Sequence, residues 1–262
     1  MNVAKIRQAK SENQKLTMVT CYDYTSARLL EDSAVDLILV GDSAAMVMHG
    51  YNDTLPATLE MMEFHVNAVR RGAPKKFIVA DLPFLTFRSS IEENTRAVRR
   101  LMQAGANAVK LEGYDGNGDW IRHLTEAGVP VMGHTGLTPQ FVNQFGGFKV
   151  QGRGAEEGRK ILSDAQGLQE AGCFSIVLEC IPSPLANEIT ASLTVPTIGI
   201  GAGGGCDGQV LVWQDLLGLS SDFKPKFVRS YLPGRELIQK SLSEFCADVK
   251  GGRFPSNEES YQ

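Results

Sequence analysis

No stretch of this chain is apolar for the about 18 residues that a membrane-spanning helix needs. The opening segment, MNVAKIRQAKSENQK, is polar and lacks the apolar core of a secretory signal, so a cytoplasmic location is expected. A basic excess is also missing. The 26 Lys and Arg stand against 30 Asp and Glu, a formal charge of -4, which argues against a nucleic-acid surface and its basic face. No CxxC pair occurs. The five cysteines (Cys21, Cys173, Cys180, Cys206, Cys246) are dispersed and odd in number, which reads as reduced thiols, and the four histidines offer no complementary zinc spacing. Repeats, linkers and low-complexity tracts are absent too. The 262 residues are therefore expected to form one domain, with 250–262 a polar tail.

What the chain does contain is a recurring unit. Short Val- and Ile-rich runs lie at 16–23, 35–43, 76–84, 107–113, 129–136, 174–180, 195–203 and 209–213. Nearly continuous apolar runs belong to strands buried on both faces, as in a parallel sheet covered by helices. Helices are expected between them at 24–33, 58–70, 91–104, 117–127, 155–171, 184–192 and 234–249, several ending in Gly-containing turns such as AGAN (104–107) and EAGC (170–173). Eight strands alternating with helices, joined by right-handed crossovers, predict a closed (β/α)8 TIM-type barrel. Two connections, 44–57 and 137–154, are long, and both follow strand ends on the face where barrels carry their catalytic groups.

Polar residues interrupt the apolar runs at those same ends: Asp42-Ser43 after the second, Asp81 on the third, Lys110 and Glu112 on the fourth, His134 on the fifth and Glu179 on the sixth. Asp42 or Asp81 alone could be a turn former or helix cap. Together with Glu112 they would repel one another in a single cavity unless a cation or protons neutralised them, and all-oxygen ligation suits Mg²⁺. Lys110 and Glu112, two apart on one strand, point to the same side. They form either a buried ion pair or a lysine poised beside a substrate carboxylate or enolate. Glu179 is open between a cap or salt bridge and a general base. His134 could be a metal ligand, a hydrogen-bond donor to substrate or a packed core residue. The glycine-rich GIGAGGG (199–205) suits phosphate binding at a helix N-terminus or a tight turn needing positive φ. His49, His65 and His123 carry no specific signal.

The stretches VTCYDYTSARLLE, LVGDSAAMVMHGYNDTLPAT, AVRRGAPKKFIVADLPF, AGANAVKLEG, VPVMGHTGLTPQ, FGGFKVQGRG, IVLECIP and PTIGIGAGGGCDGQVLVWQDLLG, with FKPKFVRSY beyond, closely resemble the ketopantoate hydroxymethyltransferase family, in order and over most of the chain. The resemblance implies a barrel of the phosphoenolpyruvate/pyruvate type that moves a one-carbon unit from 5,10-methylenetetrahydrofolate to 2-oxoisovalerate. It implies Mg²⁺ on Asp42 and Asp81, with Glu112 supporting through water. The oxo-acid would be held by Asp42, Ser43, Asp81 and Lys110 with His134 beside it, and Glu179 would be the general base. Homo-oligomers, typically decamers, are implied as well. The chain departs from the family pattern at Ala44-Ala45, Thr135 and Gly204-Gly205, none of which removes a ligand or the base. The rival expectations are a phosphoenolpyruvate-type lyase or mutase working without folate, and a binding scaffold that has lost its chemistry.

Overall fold

The computed structural model describes residues 1–220 and 225–261. Phe223 and Lys224 of the FKPKFVRSY stretch, and Gln262 of the tail, lie outside the described residues. The chain divides into two compact units, Met1–Leu211 and Val212–Gln262.

The first unit is a closed barrel of eight parallel strands: β1 (Leu16–Thr20), β2 (Leu37–Val40), β3 (Phe77–Asp81), β4 (Ala108–Glu112), β5 (Val131–Gly136), β6 (Ser175–Glu179), β7 (Thr197–Ile200) and β8 (Gly208–Leu211). They pair in sequence order, and β8 returns to β1 through Gly208–Leu211 against Leu16–Val19. Every expected strand is present. The eighth is shorter than the run that announced it, because Trp213 already belongs to a helix.

Around the strands lie α1 (Val3–Ser11), α2 (Tyr24–Glu31), α3 (Ala44–Val47), α4 (Leu59–Gly72), α5 (Ile91–Ala104), α6 (Gly118–Glu126), α7 (Val142–Phe145), α8 (Ala155–Glu170) and α9 (Ser183–Ser192). Four of them begin on a side chain that satisfies an orphan backbone N–H, three at expected helices. Asp23 accepts from Ser26 N at 2.8 Å, Thr58 from Met61 N at 3.1 Å and Ser90 from Glu93 N at 3.2 Å. The composition did not announce α1. Asn2 caps it, accepting from Lys5 N at 2.9 Å, and its buried Ile6 and Ala9 enter the barrel core.

That core is built by alternation. Side chains of a strand point to opposite faces, and the cluster takes Leu16 and Met18, Leu37 and Leu39, Phe77 and Val79, Ala108, Met132, Val177, Ile198 and Val210. Ile6, wholly buried among them, is worth roughly 1.5–3 kcal/mol by area removed from water. Two residues further along β3, β4, β5 and β6 on the same faces stand Asp81, Lys110, His134 and Glu179, and Glu112 follows Lys110. The barrel is thus an apolar plug with a charged lid at the C-terminal ends of its strands.

Among the described residues, the second unit holds α10 (Trp213–Leu216), α11 (Gly234–Lys250) and a 3₁₀ turn at Asn257–Glu259. Arg253 Nε pairs with Asp248 Oδ1 at 2.8 Å, and the rings of Phe245 and Phe254 meet edge-on at 5.7 Å. Along α11, Ile238, Leu242, Phe245 and Val249 share one stripe and are exposed.

Candidate active site

Asp42 follows β2 after one residue, Gly41, and is buried beside Asp81. Its backbone N–H donates to Asp81 Oδ2 at 3.1 Å. Gly41 makes this approach possible, since a Cβ there would lie 2.7 Å from Ser43 Oγ and 3.4 Å from Asp81 Oδ2. Lys110 Nζ lies 2.9 Å from Asp81 Oδ1, because the β3–β4 register places Lys110 opposite Asp81. The pair touches without hydrogen-bond alignment, so Oδ1 stays buried with no accepted hydrogen bond. The ion-pair partner of Lys110 is thus Asp81 on the neighbouring strand, which neither expectation for Lys110 named.

Burial drives these ionisations, and neighbours decide which way each goes. Asp42 is pushed well above the usual carboxylate range by burial, then by Asp81 and Glu112, against weaker pulls from Lys110 and Gln140. Asp81 is raised by burial too, with Lys110 opposing. Burial would lower the Lys110 ammonium, but the carboxylates of Asp81, Glu112 and Asp42 outweigh it and hold the lysine charged.

Glu112 and Glu179 are joined through His134. Nδ1 is 3.5 Å from Glu112 Oε1, and Nε2 is 3.3 Å from Glu179 Oε2. Burial and the Lys110 charge press His134 down, but the two carboxylates prevail and lift it to about 9. Glu112 itself is lowered, since its contacts with His134, Lys110 and the Gln140 N–H overcome burial. Lys110 Nζ also approaches His134 Nδ1, at 3.3 Å. Lysine can donate there only to a neutral ring, so this contact competes with the Glu112–His134–Glu179 bridge. Glu179 is the one acid of the group with appreciable exposure, 18%. The residue after it, Cys180, takes φ +46°, a left-handed conformation that costs a non-glycine residue about 1–3 kcal/mol and clusters at functional sites. Hydrogen bonds from Cys180 N to Ile200 O (2.8 Å) and from Gln151 N to Cys180 O (2.9 Å) hold the turn in place.

Two members of the site were not anticipated. Tyr22, fully buried after β1, places its hydroxyl 2.8 Å from Ser43 Oγ. Gln140, in the loop after β5, donates from its backbone to Glu112 Oε2 at 3.0 Å, and from Nε2 to Asp42 Oδ2 at 2.8 Å and Leu82 O at 2.9 Å. Tyr22 stands at a strand end like the residues that were singled out, and the same rule applied to β1 finds it. Gln140 leaves only the weaker signal of a polar residue in a long loop over the mouth.

Four carboxylates, those of Asp42, Asp81, Glu112 and Glu179, meet two cationic side chains, Lys110 and His134. Such an oxygen-rich anionic set suits a hard divalent cation that keeps several waters and takes one or two carboxylates. Asp81 Oδ1 is a buried oxygen whose ion pair with Lys110 a bound cation would share or displace. Glu112 has both oxygens engaged by His134 and Gln140. Among the described residues no three His, Cys, Asp or Glu side chains stand together in a ligating arrangement. The residues therefore fit a cation held by Asp42 and Asp81, with Glu112 behind them, and not a three-carboxylate cage.

Of the two readings left open for the glycine-rich segment, the structure fits the tight turn. No helix lies between β7 and β8, so there is no helix N-terminus for an anion. The loop turns tightly and packs on α9. Gly203 has φ +82°, and a Cβ there would meet Ser183 Oγ at 2.3 Å. Among the described residues, no helix is long and apolar enough to cross a membrane.

A family model described as ketopantoate hydroxymethyltransferase matches residues 1–257. The 3-methyl-2-oxobutanoate hydroxymethyltransferase of Bdellovibrio bacteriovorus is 57% identical over 252 residues, covering 96% of each chain. That of Coxiella burnetii is 53% identical over 256 residues, 97% of this chain and 96% of its own. Among solved structures, phosphonopyruvate hydrolase with oxalate and Mg²⁺ superposes with a TM-score of 0.63 at 13% identity, covering 99% of this chain and 93% of that one. A 2,3-dimethylmalate lyase of the PEP mutase/isocitrate lyase superfamily gives 0.59 at 16%, covering 97% and 88%. The structural likeness, at such low identity, establishes the barrel type. The sequence likeness, extending through every strand end that carries the acidic cluster, goes further: this chain belongs to the ketopantoate hydroxymethyltransferase family.

Proposed function

We propose that the chain transfers a hydroxymethyl unit from 5,10-methylenetetrahydrofolate to 2-oxoisovalerate (3-methyl-2-oxobutanoate), yielding ketopantoate on the route to pantothenate and coenzyme A. The observation that carries this reading is Glu179, partly exposed and 3.3 Å from His134, at the rim of the cluster that also holds Asp42, Asp81 and Lys110. A base at the rim, beside a cation-stabilised floor, suits removal of a proton next to a carbonyl.

Mg²⁺ held by Asp42 and Asp81, with Glu112 in support, would supply Lewis acidity toward the keto and carboxylate oxygens of the oxo-acid. Ser43, whose hydroxyl contacts that of Tyr22, would hydrogen-bond the same oxygens, with His134 beside them. Glu179 takes the proton from C3. Lys110, kept charged by its carboxylate neighbours, offsets the negative charge that develops on the oxo-acid. C3 then forms its bond to the one-carbon unit, and both bonds from that carbon to the carrier nitrogens are broken in the overall transfer. The balance consumes one water, whose oxygen becomes the new hydroxyl. The carrier leaves as tetrahydrofolate, its two nitrogen-bound protons coming from C3 and from that water.

The assembly proposed with this activity is a homo-oligomer, a decamer of the 28.5 kDa chain. The exposed stripe Ile238, Leu242, Phe245 and Val249 on α11 supports association, and sedimentation in solution measures it.

The direct test combines the protein with 2-oxoisovalerate and methylenetetrahydrofolate, with and without Mg²⁺. The expected result is ketopantoate and tetrahydrofolate in equal amounts, lost on chelation. Consumption of the oxo-acid without the donor would instead point to a lyase or mutase.

A further inference from the structure

We propose that a cavity between the loops after β3 and β5 seats the planar ring system of the one-carbon carrier. The assignment rests on the transfer reaction proposed above and adds to it the place where the second substrate binds. The cavity, about 260 Å³, is lined by Phe84, Leu85 and Arg88 from one loop and by Gln140, Phe141 and Asn143 from the other.

Its position follows from the barrel order. β4, which carries Lys110 and Glu112, lies between β3 and β5. Arg88 donates to Glu112 O at 3.4 Å and to Asp115 O at 2.9 Å, so the cavity wall is fastened to the end of β4. Gln140 is a wall shared with the acidic cluster. It lines the cavity while its amide holds Asp42 and its backbone holds Glu112. Anything bound in the cavity is therefore one side chain away from the oxo-acid site.

The lining selects a chemical class. Phe84 and Leu85 stand 40% and 52% exposed, and Leu85 does so at φ +62°, a conformation a branched aliphatic residue rarely adopts. The Arg88 guanidinium lies 5.5 Å from the Phe87 ring centroid and 5.4 Å from that of Phe141. These surfaces offer flat faces for stacking. The polar requirement comes from Gln140. Its Nε2 donates to a carboxylate and a carbonyl, which can only accept, so the amide orientation is determined, and Oε1 is left buried without a partner. A flat conjugated heterocycle with an N–H edge satisfies both demands, and a reduced pteridine is such a ring. A small aliphatic oxo-acid has no face to stack, so the cavity is not a second site for the acceptor. The volume accommodates a bicyclic ring, leaving the rest of the carrier to run outward past the exposed Asn143.

The test uses the full chain and two readouts. Tetrahydrofolate binding is measured by calorimetry, and C3 proton–deuteron exchange of 2-oxoisovalerate is followed by NMR without any carrier. Phe84→Ala and Phe141→Ala are expected to weaken tetrahydrofolate binding, and to raise KM for the donor, by about tenfold or more, the scale of a lost base–aromatic stack. Exchange should stay within about twofold of the unsubstituted protein in both, which also shows that they fold. Unaltered tetrahydrofolate binding in both variants, with the unsubstituted protein turning over donor, overturns the cavity assignment alone. If the unsubstituted protein neither turns over donor nor binds tetrahydrofolate, the transfer reaction falls and the cavity assignment with it.

Discussion

Gln140 donates through Nε2 to Asp42 Oδ2 at 2.8 Å across 98 residues of sequence, tying the loop after β5 to the acid that follows β2. A hydrogen bond to a charged group is worth about 1.5–3 kcal/mol. Gln140→Leu is therefore expected to lower kcat/KM for the oxo-acid by roughly 10- to 100-fold. Gln140→Glu should do worse, because it adds a carboxylate where Asp42, Asp81 and Glu112 already repel one another. Steady-state kinetics with both variants checks the order; a Glu variant as active as the unsubstituted protein contradicts the role given to this amide.

Gly41 is the second structural dependency. A methyl group at this position meets Ser43 Oγ at 2.7 Å and comes within 3.4 Å of Asp81 Oδ2. Overpacking of a dense interior costs about 1–3 kcal/mol, and here the strain falls on Ser43 and Asp81, the groups proposed to hold substrate and cation. Gly41→Ala should lower the thermal midpoint by several degrees and weaken Mg²⁺-dependent oxo-acid binding by about tenfold or more. Native affinity in a calorimetric titration would show that Asp81 and Ser43 have room to spare.

The strand ends were legible because charge in the middle of an apolar run is costly unless it has a purpose. Asp81, Lys110, Glu112, His134 and Glu179 all stood out this way, and period-two alternation then put them on one interior side. Their partners were not legible. Lys110 reads equally well against Glu112, two residues away, until the β3–β4 register sets it opposite Asp81. Gln140 reaches Asp42 only because an irregular loop folds back over the mouth, and no local pattern encodes that path. The helix α1 escaped notice for a related reason. Only Ile6 and Ala9 of its nine residues are buried, so its amphipathic signal is faint, and its order depends on the barrel it plugs.

His65, which carried no signal in the sequence, predicts a pH dependence of stability. It is buried, and its Nδ1 donates to Tyr22 O at 2.6 Å, leaving Nε2 to face His49 Nε2 at 3.1 Å. Burial lowers its pKa below the ordinary 6.5, and the neighbouring His49 adds to the effect, against the opposing hydrogen bond to Tyr22. The folded state thus favours the neutral ring while the unfolded chain takes up the proton. The stabilisation this provides is present above the unfolded pKa and is lost as pH falls from about 6.5 toward the lowered folded value. Denaturant midpoints measured across that interval should fall more steeply with acid in the unsubstituted protein than in His65→Gln. Parallel curves would remove His65 from the account.

Glu179 is the group proposed to remove the C3 proton of a 2-oxo acid, and isotope exchange without the one-carbon donor reports on that step alone. In D₂O with Mg²⁺, the unsubstituted protein should exchange the C3 proton of 2-oxoisovalerate, followed by NMR. Glu179→Gln should lower the rate by about 10²- to 10⁴-fold while oxo-acid binding stays within a few-fold. Exchange at the native rate in Glu179→Gln would contradict the assignment of the base.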